Sequence, residues 1–196
     1  MAMEELERAL KWAENNLNAE YIELRYEDLR KTTLGLKDGV FTSFTGKLHR
    51  GGVAIRVLAD GAWGGFASTS DLTNLEKKIE EAYKLAKAAA QTKREKIELA
   101  EIKPVEDFVK SKMKTKPREV DIEEKVNHLR ELEKILKEDE AVKSVQIRYE
   151  DGGGKKLLLT NEGTRIEWDY NYLYQSLRHR KGRRKARDGE GQHRRG

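Results

Sequence analysis

Cysteine is absent from all 196 residues, which excludes disulfides, thiolate nucleophiles and sulfur-ligated metal sites. No apolar run approaches the roughly 20 residues of a membrane-spanning helix, and neither a membrane span nor a secretory signal is expected. A cytoplasmic location is expected. Proline is limited to Pro104 and Pro117, and histidine to His49, His128, His179 and His193. Zinc hydrolase chemistry needs two imidazoles on one helical face with a carboxylate to activate the metal-bound water. Only His128 falls on an expected helix, and no second histidine lies three to five residues from it. No nucleophile elbow occurs either. No catalytic residue and no metal ligand is therefore assigned, and the chain alone is expected to be inactive and free of stoichiometric zinc.

Charge is abundant, at 38% of residues against 37% hydrophobic, and its net value of +5 is unevenly placed. Residues 178–196 hold nine Lys/Arg and two Asp/Glu, leaving 31 bases against 33 acids in the rest. The high pI belongs to the tail, and the body gives no global argument for nucleic acid or an anionic membrane. The tail has one aliphatic residue, Ala186, and is expected to be disordered, with only non-specific, salt-sensitive affinity for nucleic acid. Abundant Lys, Glu and Arg without Cys is a composition common in hyperthermophiles.

Met3, Leu6, Leu10, Ala13 and Leu17 predict an amphipathic helix over 3–17. Tyr21–Tyr26 and Thr32–Leu36 are β-prone. Asp38-Gly39 is a preferred tight-turn pair, returning into Val40–Thr45. Gly51–Ala59 is a further strand, turned by Asp60-Gly61 into Trp63–Ser68. A helix follows over 71–91, with Thr73 and Glu76 in capping-box relation. Residues 92–118 carry both prolines and little periodicity, and read as a linker or long excursion. Ile122, Val126, Leu129, Leu132 and Leu136 stripe a third helix. Val142–Tyr149, a Gly-rich turn at residues 151–154, Lys155–Thr160, a turn at residues 161–163 and Thr164–Leu177 complete the body.

One tetrapeptide recurs: Arg25-Tyr26-Glu27-Asp28 and Arg148-Tyr149-Glu150-Asp151. Each copy follows an amphipathic helix and precedes a β-prone run and an Asx/Gly turn. The expected fold is α+β, a mixed sheet built from two α-β-β units with helices on one face. The units are residues 1–91, with two further strands and a closing helix, and residues 119–177. Arg25, Tyr26, Arg148 and Tyr149 define the repeat. The paired carboxylates at its ends suit structure better than catalysis, which needs asymmetric environments. Residues 151–156 lack the strand-to-helix context of a phosphate loop. Trp63-Gly64-Gly65-Phe66 is the most distinctive segment. Its glycines point to a bulge or a close backbone approach, and its aromatics to core packing or to a cleft wall for a peptide.

Residues 52–57 (Gly-Val-Ala-Ile-Arg-Val), 60–64 (Asp-Gly-Ala-Trp-Gly) and 66–72 (Phe-Ala-Ser-Thr-Ser-Asp-Leu) closely resemble the N-terminal domain of TldD/PmbA proteins. Tyr21–Asp28 and Leu36–Gly39 resemble its opening strands, so the resemblance covers about residues 3–177. It implies a cytoplasmic zinc metalloprotease family that works as homo- or heterodimers of TldD/PmbA-type subunits and cleaves unstructured peptides in an interior chamber. The family's His-Glu-x-x-x-His helix has no counterpart here, so zinc belongs to the full-length family and no residue inherits a catalytic role. The sequence departs from the pattern at the doubled Gly64-Gly65 and from Arg178 onward. The expectation is the non-catalytic N-terminal portion of such a protease, truncated or out of frame at its end, that serves dimerisation and substrate enclosure. The alternative is a stand-alone binding module with a nucleic-acid-binding tail.

Overall fold

The computed structural model describes residues 2–182, with all side chains in that range except those of Lys47 and residues 65–69. The elements run α1 (Ala2–Asn16), β1 (Tyr21–Lys37), β2 (Val40–Ala59), β3 (Ala62–Thr69), α2 (Leu75–Ala90), β4 (Glu106–Val109), a 3-10 turn (Pro117–Glu119), α3 (Ile122–Lys137), β5 (Val142–Thr160) and β6 (Arg165–Lys181). The strands form one sheet in the order β3-β2-β1-β5-β6-β4, antiparallel except for β4 against β6. It is an α+β fold with a mixed sheet. Among the described residues no helix is long and apolar enough to cross a membrane.

The helices share one face because the apolar residues of the strands alternate. Ile22, Leu24, Leu34 and Leu36 of β1 have one parity and lie opposite Val57, Ile55, Tyr149 and Ile147. They form two cores, one under α1 and α2, the other under α3. Leu6 of α1 and Leu129 of α3 are fully buried, each contributing about 1.5–3 kcal/mol by area.

The register of β1 against β5 carries a local two-fold. The two tetrapeptides are 123 residues apart. Tyr26 lies opposite Leu157, and Tyr149 opposite Leu34, whose own partners in the repeat are again 123 apart. The pair that maps onto itself is Arg30 with Gly153, where the axis crosses the sheet. Leu6 and Leu129, Ile22 and Val145, and Leu24 and Ile147 obey the same offset, and all are buried.

Several expectations change. Residues 151–154 form no turn; they lie inside β5, paired with β1 on one side and β6 on the other. A side chain at Gly152 would meet the Tyr172 ring at 2.7 Å, and one at Gly154 would overlap the Asp28 carbonyl. The glycines thus make room for a ring and a neighbouring strand. Val40–Thr45 and Gly51–Ala59 are one strand, because β1 supplies a continuous ladder and a register shift after Lys31 absorbs the irregularity. The excursion over 92–118 contributes β4, held by the Arg165 N–H donating to Val105 O at 2.8 Å. The tail does not begin at Arg178, since β6 runs to Lys181 in register with β5. The remaining tail expectation lies outside the described residues. Thr73 and Glu76 form no capping box: α2 starts at Leu75, and the Thr73 hydroxyl and N–H both donate to Asp71. The turns at Asp38-Gly39 and Asp60-Gly61 have positive φ at all four residues, as a type I′ hairpin requires.

Candidate functional site

With α1, α2 and α3 on one face, no helix among the described residues covers the other face of the sheet. Its residues follow from register: Arg25, Glu27, Leu29 and Lys31 of β1, Arg50, Gly52, Ala54 and Arg56 of β2, Arg148, Glu150, Lys156 and Leu158 of β5, and alternate residues of β6 from Trp168 to Arg180. A groove of about 930 Å³ runs across it, floored by Gly52, Ala54 and Leu158 and walled by Arg50, Lys156 and Trp168. Small residues on β2 opposite long ones on β5 and β6 create the depression.

Aromatic rings bound the face at both sides. Near β3, Trp63 meets Tyr21 edge-to-face at 5.8 Å, and the Arg56 guanidinium lies 4.3 Å from the Trp63 ring centre. On β6, Trp168, Tyr170, Tyr172 and Tyr174 point the same way. The Tyr172 hydroxyl donates to Glu150 at 3.2 Å, the Tyr170 hydroxyl donates to Glu27, and Lys156 Nζ sits 4.5 Å from the Tyr170 ring. Tyr170 reaches from β6 across β5 to β1, over the stretch of β5 where the glycines leave space. Burial and then the adjacent Glu27 push the Tyr170 hydroxyl pKa up. Burial and then Glu23 push that of Tyr21 up to about 12. Both phenols stay protonated donors across the physiological range.

The repeat residues divide between the faces. Arg25 lies on the open face, bound to the buried Glu23 at 2.8 Å, and Arg148 occupies the equivalent place. Tyr26 and Tyr149 point into the two cores. The Tyr149 hydroxyl donates to buried Asp151 at 2.6 Å, which also pairs with buried Lys125 at 2.6 Å. Its repeat equivalent, Asp28, instead pairs with exposed His49. Gly64 faces α2, where an added side chain would overlap the Ala82 carbonyl oxygen and lie 2.6 Å from Ala86 N. The ladder is bulged beside it: two residues of β3, 66 and 67, oppose Ile55. The bulge and the close approach thus occur together.

A second hollow, of about 520 Å³, lies on the helix side between Phe108 and Arg30. Burial works against the charge of Asp169 there, but Lys116 and Arg118, each at 2.9 Å, outweigh it and hold its carboxyl below the usual range. Its charges are largely paired, which suits a strap that fixes the excursion to β6. Among the described residues no group of three or more His, Asp or Glu is placed to hold a metal ion. His128 instead meets Gln175 at 3.3 Å. The aromatic row of β6 carries a sequence signal of its own, since Trp168-x-Tyr170-x-Tyr172-x-Tyr174 has the period of a strand face.

Residues 22–86 match the PmbA/TldA metallopeptidase domain 1, and residues 115–196 match the PmbA/TldA metallopeptidase central domain. The central-domain match continues through residue 196, past the point at which the pattern was expected to stop. A metalloprotease of Methanocaldococcus jannaschii is 34% identical over 150 residues, 76% of this chain and 33% of that protein. A Synechocystis metalloprotease is 27% identical over 180 residues, 88% and 36% respectively. The chain thus spans about a third of the length of these curated relatives. Among solved structures, a protein of Thermotoga maritima described as a candidate modulator of a DNA gyrase superposes with a TM-score of 0.64. It is 23% identical, and the match covers 90% of this chain and 38% of that one.

Proposed function

The chain belongs to the PmbA/TldD metallopeptidase family, and from that premise we propose that it supplies the family's non-catalytic wall. In this reading it contributes to dimerisation with a TldD/PmbA-type subunit and to the enclosure of unstructured peptides in the cytoplasm. The observation that carries it is the uncovered sheet face, grooved at its centre and bordered by Trp63 at one side and Trp168 at the other. An extended peptide adds to an edge of such a sheet through backbone hydrogen bonds, which tolerate varied sequences, and lays its side chains along the adjoining face. On β3, Trp63 with the backbone of Gly65 and Phe66 forms the side of this wall, and Gly64 holds it against α2 from behind. The family name implies a metal. The described side chains do not fit one, so no chemical step is routed through them.

The test uses three tryptophans in distinct places. Trp63 and Trp168 border the open face, whereas Trp12 packs on the helix side. Variants that retain one tryptophan each are titrated with an unstructured peptide. Emission from Trp63 and Trp168 is expected to change while that of Trp12 stays constant. A response confined to Trp12, or no binding at all, overturns the assignment. Sedimentation of the same samples tests dimer formation.

A further inference from the structure

The outer edge of β6 is the longest uncovered backbone in the sheet's second half. β4 pairs only with Arg165–Trp168, and no backbone partner lies beyond it on that side among the described residues. Two bonds fix the direction of each group: Arg165 N–H points outward to Val105, and Gly182 N–H inward to Ala141. Backbone groups alternate sides along a strand, and β6 has no register shift from Arg165 to Arg180. Asn171, Leu173, Gln175, Leu177 and His179 therefore direct their N–H and C=O groups outward. Proteins usually blunt such an edge with proline, a bulge or a short strand. This one has none of these.

The side chains beside the edge differ between faces. On the helix side Leu173 and Leu177 are 50% and 43% exposed; on the open side Tyr174 is 58% exposed, followed by Ser176, Arg178 and Arg180. Arg148 and Lys37 lie next to these on the inner strands. Of the acids at this end, Glu150 is engaged by Lys31, Asp139 by Lys181, and Asp38 accepts from the Ser144 hydroxyl and the Val145 N–H with Lys137 beside it. Arg178, Arg180, Arg148 and Lys37 form no ion pair among the described residues, which leaves a surplus of positive charge at this end.

We propose that the β6 edge from Asn171 to His179 adds an extended peptide whose apolar and acidic side chains alternate. The acidic side chains would face Arg178 and Arg180, with Arg148 and Lys37 adding to the positive field from β5 and β1 behind them, and the apolar ones would lie beside Leu173 and Leu177. This inference rests on the peptide-binding reading above and narrows it to a substrate class. Backbone pairing sets the affinity and the four cations set the choice of sequence.

The experiment measures fluorescence anisotropy of three labelled peptides of equal length on the full chain at physiological salt. They alternate valine with aspartate, serine or lysine. The aspartate peptide is expected to bind about tenfold tighter than the serine one, and the lysine peptide not measurably. Arg178→Glu with Arg180→Glu should invert that order. Gln175→Pro removes one outward N–H and leaves the β5 ladder intact, as proline on an edge strand can. It should abolish aspartate-peptide binding, while Gln175→Ala retains it. If Gln175→Pro fails to fold, the charge reversal still decides. Equal binding of all three peptides overturns this inference and leaves the peptide-binding wall standing; no binding of any peptide overturns both. A peptide-free dimer abolished by Gln175→Pro makes a second copy the occupant and refutes the proposal. A single-stranded oligonucleotide that displaces the aspartate peptide from the edge refutes it too.

Discussion

Replacing Lys125 by methionine isolates the asymmetry between the two halves of the repeat. Lys125 and Asp151 are 4% and 0% exposed and pair at 2.6 Å, so the substitution leaves a carboxylate in the core with the Tyr149 hydroxyl as its remaining donor. Asp151 Oδ1 already has no hydrogen-bond partner, so little local capacity exists to compensate. Breaking a buried pair from one side costs about 3–5 kcal/mol, a large part of the roughly 5–15 kcal/mol that holds a domain folded. For a chain of this size that corresponds to a fall in Tm of roughly 6–20 °C. Adding Asp151→Asn removes the stranded charge while keeping an acceptor for Tyr149, and should recover most of the loss. Asp28→Asn, at the equivalent place beside exposed His49, should cost less than about 1 kcal/mol, as surface pairs do. Urea denaturation of the three variants and the parent reads each value. A Lys125→Met loss below about 1 kcal/mol, or one that Asp151→Asn deepens, refutes the reasoning.

Gly64→Ala should destabilise by about 3 kcal/mol or more, beyond ordinary overpacking, because the backbone of α2 must lift off β3; denaturant midpoints check it, and a loss under about 1 kcal/mol contradicts the close approach. Stability should fall on the alkaline side. The raised pKa of Tyr21 means that the folded state keeps a proton that the unfolded state releases from about 10, so its contribution is full below that pH and is lost as pH rises through about 12. Phenolate absorbance against pH reads this directly, and a tyrosine titration matching the free amino acid contradicts it.

What the sequence discloses depends on how local the cause is. Both type I′ turns were legible because Asp-Gly pairs carry their own geometry. The helices were legible because their stripes repeat every three or four residues. The tetrapeptide repeat led to the shared sheet, since its flanking elements agree as well. The triple glycine misled, because its partner is Tyr172, some twenty residues further on, and a local reading sees only a chain-reversal signal. β4 was hidden for a similar reason: four exposed residues owe their conformation to the edge of β6 and not to any pattern of their own. The open face has no local signature: its aromatic and basic residues come from five strands, and only the register assembles them.

If this chain engages peptides as a wall and does not itself cut them, as we propose, incubating the purified protein with an unstructured peptide and zinc should leave the peptide intact. Mass spectrometry of bound and cleaved peptide should find it retained whole, with binding weakened in Trp63→Ala and Trp168→Ala variants. Peptide fragments that disappear when a chelator is added would contradict it.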